Sequence, residues 1–314
     1  MTLVNMGTNT DFDAAFSSAK AKWESVIKCG FSDIAGVGNG ISDWFAGQFS
    51  SPYNADVDDL VIGFSMEPND GVGGTLGFAG ATYYRTLGGM RTSPISGIMK
   101  FDEADFASMS YSEFEIVLYF VNGVCLSILF FTYILQTCIS IDDAEIIILH
   151  EMGHILGAVN LQNSRCHSTC STGNYNYGWA SGCTLASTEY AALGLGLGPL
   201  LVENDGGGGT SCAHWEESSF PQSTGSSELM TGYFEASLFQ PLTRVTIAAL
   251  DETFSDYVVD YSVADPYPVS SIPMSALVSN EGPVRQIYKP DTTFTIADRM
   301  MDLEIDPIEL PAQE

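Results

Sequence analysis

Residues 142 to 157 read DDAEIIILHEMGHILG, and this stretch decides the fold. Asp142 with Glu145 three residues on makes a capping box. Early acids also suit the positive end of a helix dipole. Apolar residues then lie all round the helical wheel, so the stretch is expected to be a central, buried helix. Within it, His150-Glu151-Met152-Gly153-His154 is H-E-x-x-H. Residues four apart share one helical face, so both imidazoles can reach one metal ion. Zinc bound there lowers the pKa of a water towards neutrality and polarises a carbonyl. Glu151 projects beside that water and suits the role of general base, taking its proton and passing it to a leaving amine. Burying two His and a Glu in an apolar helix is costly unless something pairs them, which favours the metal reading over chance.

A third ligand has to come from elsewhere. Gly157 lets the chain turn sharply after the helix, but the position six residues beyond His154 is Asn160, a poor zinc ligand. The chain has four His, so only His167 and His214 remain. His167 lies among Ser, Thr and Cys in a loop-like stretch. His214 lies in SCAHWEE, and Met230 follows in SSELMTGY, a pattern that suggests a Met-turn beneath a zinc site. Glu216 and Glu217 are candidates to orient the free ring nitrogen of His214. Tyr233 is a candidate to support an oxyanion.

Working upstream, Asp11 to Cys29 has apolar residues at helical spacing, with Thr10 or Asp11 as cap and Gly30 as the C-terminal stop. LVIGFSM (60–66) and PISGIMKF (94–101) read as strands. Between them a Gly-rich turn leads into a strand at Thr75 to Ala79, whose small residues permit close backbone approach. Downstream, Pro241 to Asp251 reads as a helix with Pro at its first position, and Tyr257 to Val263 as a short strand.

Residues 116 to 141, IVLYFVNGVCLSILFFTYILQTCISI, carry no charge. Length and composition qualify them as a transmembrane candidate. Acids flank both ends, and the β-branched and aromatic content also suits a pair of buried strands. The start, MTLVNMGTNTDFD, shows neither a basic n-region nor an apolar h-region. The chain has seven Cys, and Cys166, Cys170, Cys183 and Cys212 share a Gly/Ser-rich stretch that reads as disulfide-stapled and points to an oxidising compartment. Eleven Lys+Arg against 39 Asp+Glu give a net charge of −28. Such a surface repels phosphate backbones and anionic headgroups, so nucleic acid is not an expected partner. With 45% apolar residues the chain can bury a core, which excludes wholesale disorder.

The segments HEMGHILG, GGGGTSCAHWEES, ELMTGYFE and PLTRVTIAALDE together resemble the leishmanolysin-like zinc metallopeptidases of the metzincin clan. Upstream, VDDLVIGFS, GGTLGFAGATYYR and PISGIMKFDEADF are similar too, so the likeness runs from about Phe12 to Pro268. It implies an α+β fold: a metzincin (zincin-like) catalytic domain with a twisted mixed sheet, an edge strand at Thr75 to Ala79 over the active-site helix, and a loop-rich, disulfide-stapled C-terminal subdomain. It implies His150, His154 and His214 as zinc ligands, Glu151 as catalytic base and Met230 as the floor of the site. It further implies protein or peptide substrates and a secreted or cell-surface location. The expected organisation is an N-terminal subdomain over 1–157, a C-terminal subdomain over 158–268, and a linker or further module over 269–314. Residues 116 to 141 match nothing in that family and stand as an anomalous apolar insertion, with Ser108 to Ile141 partly a translated intron or a gene-model error as the other reading; a genuine run would offer membrane association. Two other readings compete with a zinc endopeptidase: a non-catalytic adhesion protein that retains the fold, and a membrane-embedded metalloprotease. The intact Glu151 argues against the first. The lack of a second apolar span argues against the other.

Overall fold

Strand β2, Val61–Glu67, organises the sheet because it is buried along nearly its whole length. Such a run suits a parallel strand covered on both faces. In the computed structural model it pairs in parallel with β1 (Thr2–Asn5) on one side and β4 (Met90–Asp102) on the other. Strand β3 (Gly77–Leu87) runs antiparallel to β4 and forms the sheet's edge, in the order β1-β2-β4-β3. The protein is thus mixed α+β with a small mixed sheet. The structure describes residues 1–72, 75–87, 90–108, 143–159, 177–178, 183–203, 210–220, 227–234 and 239–268. The apolar run 116–141, Asp142, Cys166, His167, Cys170 and residues 269–314 lie outside them.

Helix α1 (Asp13–Val26) packs on helix α3 (Asp143–Leu156), and α3 in turn packs against β3 and β4. A short α2 (Glu103–Ser108) follows β4. Alternate residues of β2 explain the layering: Ile62, Phe64 and Met66 face the helices, whereas Val61 joins Trp44, Phe45 and Ile98 in a smaller apolar cluster. Phe16 of α1 stacks on Phe64 with ring centroids 3.8 Å apart. The larger core continues through helices α4 (Leu185–Ala192) and α5 (Arg244–Thr253) as far as Tyr267. A two-residue pairing joins β5 (Tyr177–Gly178) to β6 (Leu201–Val202). Among the described residues, no helix is long and apolar enough to cross a membrane.

Several boundaries differ from the sequence expectation, each for a local reason. The edge strand begins at Gly77, not Thr75, and continues through Tyr83 and Tyr84 to Leu87. The Thr75 N–H is instead held by the Asp70 carboxylate at 3.0 Å, which keeps Thr75 in the preceding loop. Helix α1 is entered from Phe12 with no side-chain cap, so neither Thr10 nor Asp11 has that role. It ends at an extended Ile27, ahead of Gly30. Helix α5 starts later than Pro241, because Thr243 caps it by accepting from the Val245 N–H. Tyr257 to Val263 forms a single bridge, Ile27 to Val259, and then a 3-10 turn over Tyr261–Val263 rather than a strand.

Candidate metal centre

Helix α3 is fixed at both ends of the H-E-x-x-H segment. The Trp23 indole N–H donates to the Leu149 carbonyl at 2.9 Å, one residue before His150. At the far end, Ala158 N–H reaches the Gly153 carbonyl (2.9 Å) and Gly157 N–H reaches the His154 carbonyl (3.1 Å). That pair of bonds is a Schellman ending, and it requires the left-handed Gly157, whose φ is 85°. The Phe254 ring fills the space a Cβ on Gly157 would need, at 2.6 Å from that position. The chain therefore leaves the helix sharply just after His154.

Two later segments meet this helix. His214 sits beside Trp215, whose N–H donates to the Met230 carbonyl at 2.9 Å. The Trp215 indole N–H donates to the Thr246 hydroxyl at 2.8 Å, anchoring the segment to α5. Residues 228 to 231 form a turn closed by the Thr231 N–H to the Glu228 carbonyl (3.1 Å). The turn presents the Leu229 carbonyl to His150 and the buried Met230 side chain to Gly153.

The three imidazoles converge through one nitrogen each. Their Nε2 atoms are 2.9 Å apart for His150 and His154, 3.1 Å for His150 and His214, and 3.1 Å for His154 and His214. The rings of His150 and His214 lie nearly parallel, 18° apart, with His154 edge-on to both. His150 Nδ1 contacts the Leu229 carbonyl at 2.6 Å, and His214 Nδ1 contacts the Thr210 carbonyl at 2.8 Å. A carbonyl only accepts, so both Nδ1 atoms carry the proton, which leaves both Nε2 lone pairs directed into the triangle. Burial drives His150 down to about 4 and His214 to about 3, and holds His154 well below the usual histidine range, so all three are neutral at pH 7. The Nε2 lone pairs of His150 and His214 face each other at 3.1 Å and repel, and a cation between them relieves that repulsion.

The donor set fits a metal ion. Four ligands at about 2.0–2.1 Å around a tetrahedral centre stand about 3.3 Å apart, close to the edges of this triangle. The three His form a buried group whose ligand atoms lie within 4.8 Å of one another. Glu151, on the same helix, has both carboxylate oxygens buried with no hydrogen-bond partner, and burial pushes its carboxyl up to about 8. Such an orphaned carboxyl is expensive to bury and calls for a polar group beside it.

His150, His154, His214 and Glu151 are all brought into the buried interior, whereas His167 lies outside the described residues. Thr210, not Glu216 or Glu217, holds the free nitrogen of His214. Glu217 is pushed up to about 9, by burial first and then by its bond to Glu203, so it pairs with Glu203. Tyr233 lines a small cleft with His150, Ile146, Ile147, Thr231, Phe234 and Gln240. Sequence reasoning missed Thr210, Leu229 and Glu228. Two act through backbone carbonyls, which leave no mark in the sequence. The chain matches no protein-family model, and no curated protein matches it.

Proposed function

We propose that this chain is a zinc-dependent endopeptidase of the leishmanolysin-like metzincin type. The observation that carries the reading is the convergence of three neutral Nε2 atoms, within 3.1 Å of one another, on a helix that also buries the unpartnered Glu151 carboxyl. His150, His154 and His214 would hold the ion. Zinc in that place supplies Lewis-acid chemistry, activating water and polarising a peptide carbonyl. Glu151 takes the proton of the attacking water and returns it to the leaving amine.

An extended peptide would add to the sheet through the edge strand β3, which packs beside α3. The net charge of −28 disfavours nucleic acid and anionic membranes; protein or peptide substrates are what the likeness to the leishmanolysin-like peptidases implies. Cys183 and Cys212 are both disulfide-bonded, which supports an oxidising compartment and hence a secreted or cell-surface protein. Cys29 is a free thiol.

The test is a casein or peptide cleavage assay on wild type, Glu151→Ala and chelator-treated protein. Cleavage should vanish in both treated samples and return when zinc is restored to wild type alone. Turnover that survives both treatments would overturn the proposal.

A further inference from the structure

Glu228 is a buried carboxylate that contacts none of the three histidines yet joins the segments that hold them. Its Oε2 accepts from the Met230 N–H at 2.7 Å. Its Oε1 accepts from the Thr243 N–H (3.2 Å), the Thr243 hydroxyl (2.9 Å) and the Thr246 hydroxyl (2.7 Å), at the first turn of α5. The side chain is fully buried, and its partners are neutral donors. A carboxylate is an acceptor only, so it can take hydrogen bonds from both sides at once, which a neutral amide of the same size cannot.

What this carboxylate clamps is the turn under the metal centre. One residue on, the Leu229 carbonyl receives the Nδ1–H of His150 at 2.6 Å. Two residues on, Met230 packs against Gly153, between the two helical histidines, and its carbonyl receives the Trp215 N–H next to His214. Thr246, held by Glu228, is also the acceptor for the Trp215 indole. Shifting this turn therefore moves the orientation of His150 and the position of His214 together. The geometry points to Glu228 as a positioning residue of the metal centre: its carboxylate fixes the turn that sets the ring orientation of His150 and the approach of His214. This inference rests on the metal-centre reading above.

The test compares wild type, Glu228→Gln, Asp102→Asn, and His154→Ala. Each is stripped of metal and titrated with Zn2+ against a chelator and with Co2+ by visible absorption; thermal unfolding is followed in parallel. In Glu228→Gln the amide oxygen can serve the three α5 donors, which leaves its NH2 facing the Met230 N–H. Zinc affinity should fall by about tenfold or more, as when other outer partners of metal ligands are lost. The Co2+ absorption should shift as the His150 ring reorients. Asp102→Asn, which breaks a buried carboxylate network away from the three histidines, should lower the unfolding temperature with zinc affinity kept within about twofold. Affinity and absorption unchanged in Glu228→Gln would overturn the positioning role and leave the metal reading intact. An affinity loss no larger than that of Asp102→Asn at equal loss of unfolding temperature would overturn it too. Wild type that binds no more tightly than His154→Ala would instead sink the metal reading. Should Glu228→Gln fail to fold, Glu228→Asp takes its place: a shorter carboxylate cannot span both sides, so a spectral shift supports the role and an unchanged spectrum removes it.

Discussion

The sulfur of Met230 lies 2.6 Å from where a Cβ on Gly153 would stand, so the glycine one residue before His154 makes the room the methionine occupies. The Trp23 ring closes the same space at 3.2 Å. A methyl group there forces the methionine or the helix to move in a packed interior. Gly153→Ala should therefore cost about 1–3 kcal/mol despite the better helix propensity of alanine. Thermal or denaturant unfolding of the metal-free protein measures it, and a variant as stable as wild type would show that Met230 repacks freely.

The identity of the third ligand separates two histidines cleanly. His214→Ala should lower zinc affinity by at least about 100-fold, beyond what loss of an outer partner causes. His167→Ala should leave it unchanged. Zinc content after dialysis, measured by atomic absorption, decides between them; loss only in His167→Ala would move the third ligand to that position.

A bound ion should stabilise the fold by mass action. At a free concentration about 100 times its Kd, zinc adds about 2.7 kcal/mol, which corresponds to a rise in Tm of about 5 °C or more. Calorimetry with and without chelator reads this directly. An identical Tm in His150→Ala with and without zinc is the matching control.

Asp102 gives a pH prediction away from the histidines. Burial pushes its carboxyl up, but the N–H groups of Gly71, Ala104, Asp70 and Asn69, at 2.7 to 3.2 Å, outweigh that and hold it below the usual range. The folded state thus binds the proton more weakly than the unfolded one. The stability this supplies is present above pH 3.8 and is lost as the pH falls through the lower folded value. Asp102→Asn should cost about 2 kcal/mol at pH 7, with the difference from wild type shrinking below about pH 4. Urea unfolding at several pH values checks it.

How much of this was legible in the sequence depends on whether a side chain or a backbone group did the positioning. The H-E-x-x-H helix was readable to within a residue, since its apolar run, its histidine spacing and the left-handed Gly157 all point one way. Strand β2 was readable for the same reason. Strand β3 was only half seen: its pairing with β4 slips in register between Ala81 and Thr86, which blurs the two-residue period that marks a strand. The start of α5 went astray because Pro241 announces a helix two residues before Thr243 caps it. At the site, the histidines and Glu151 were visible as residue types, while the carbonyls of Thr210 and Leu229 were not. Glu228 looked like one more acid in an acidic chain until its four donors were in view.

His154 and His214 stand sixty positions apart along the chain and 3.1 Å apart in space. An ion shared between them closes a ring from that whole length of polypeptide. Ring-closure entropy grows only logarithmically, so doubling the intervening chain would cost about 0.6 kcal/mol. Both rims of the ring are clamped independently, by the Schellman ending on one side and by Trp215 on the other. Within that ring, α4 and the buried Leu200 and Val202 belong to the core, so sequence can be gained at such small thermodynamic expense only outside them.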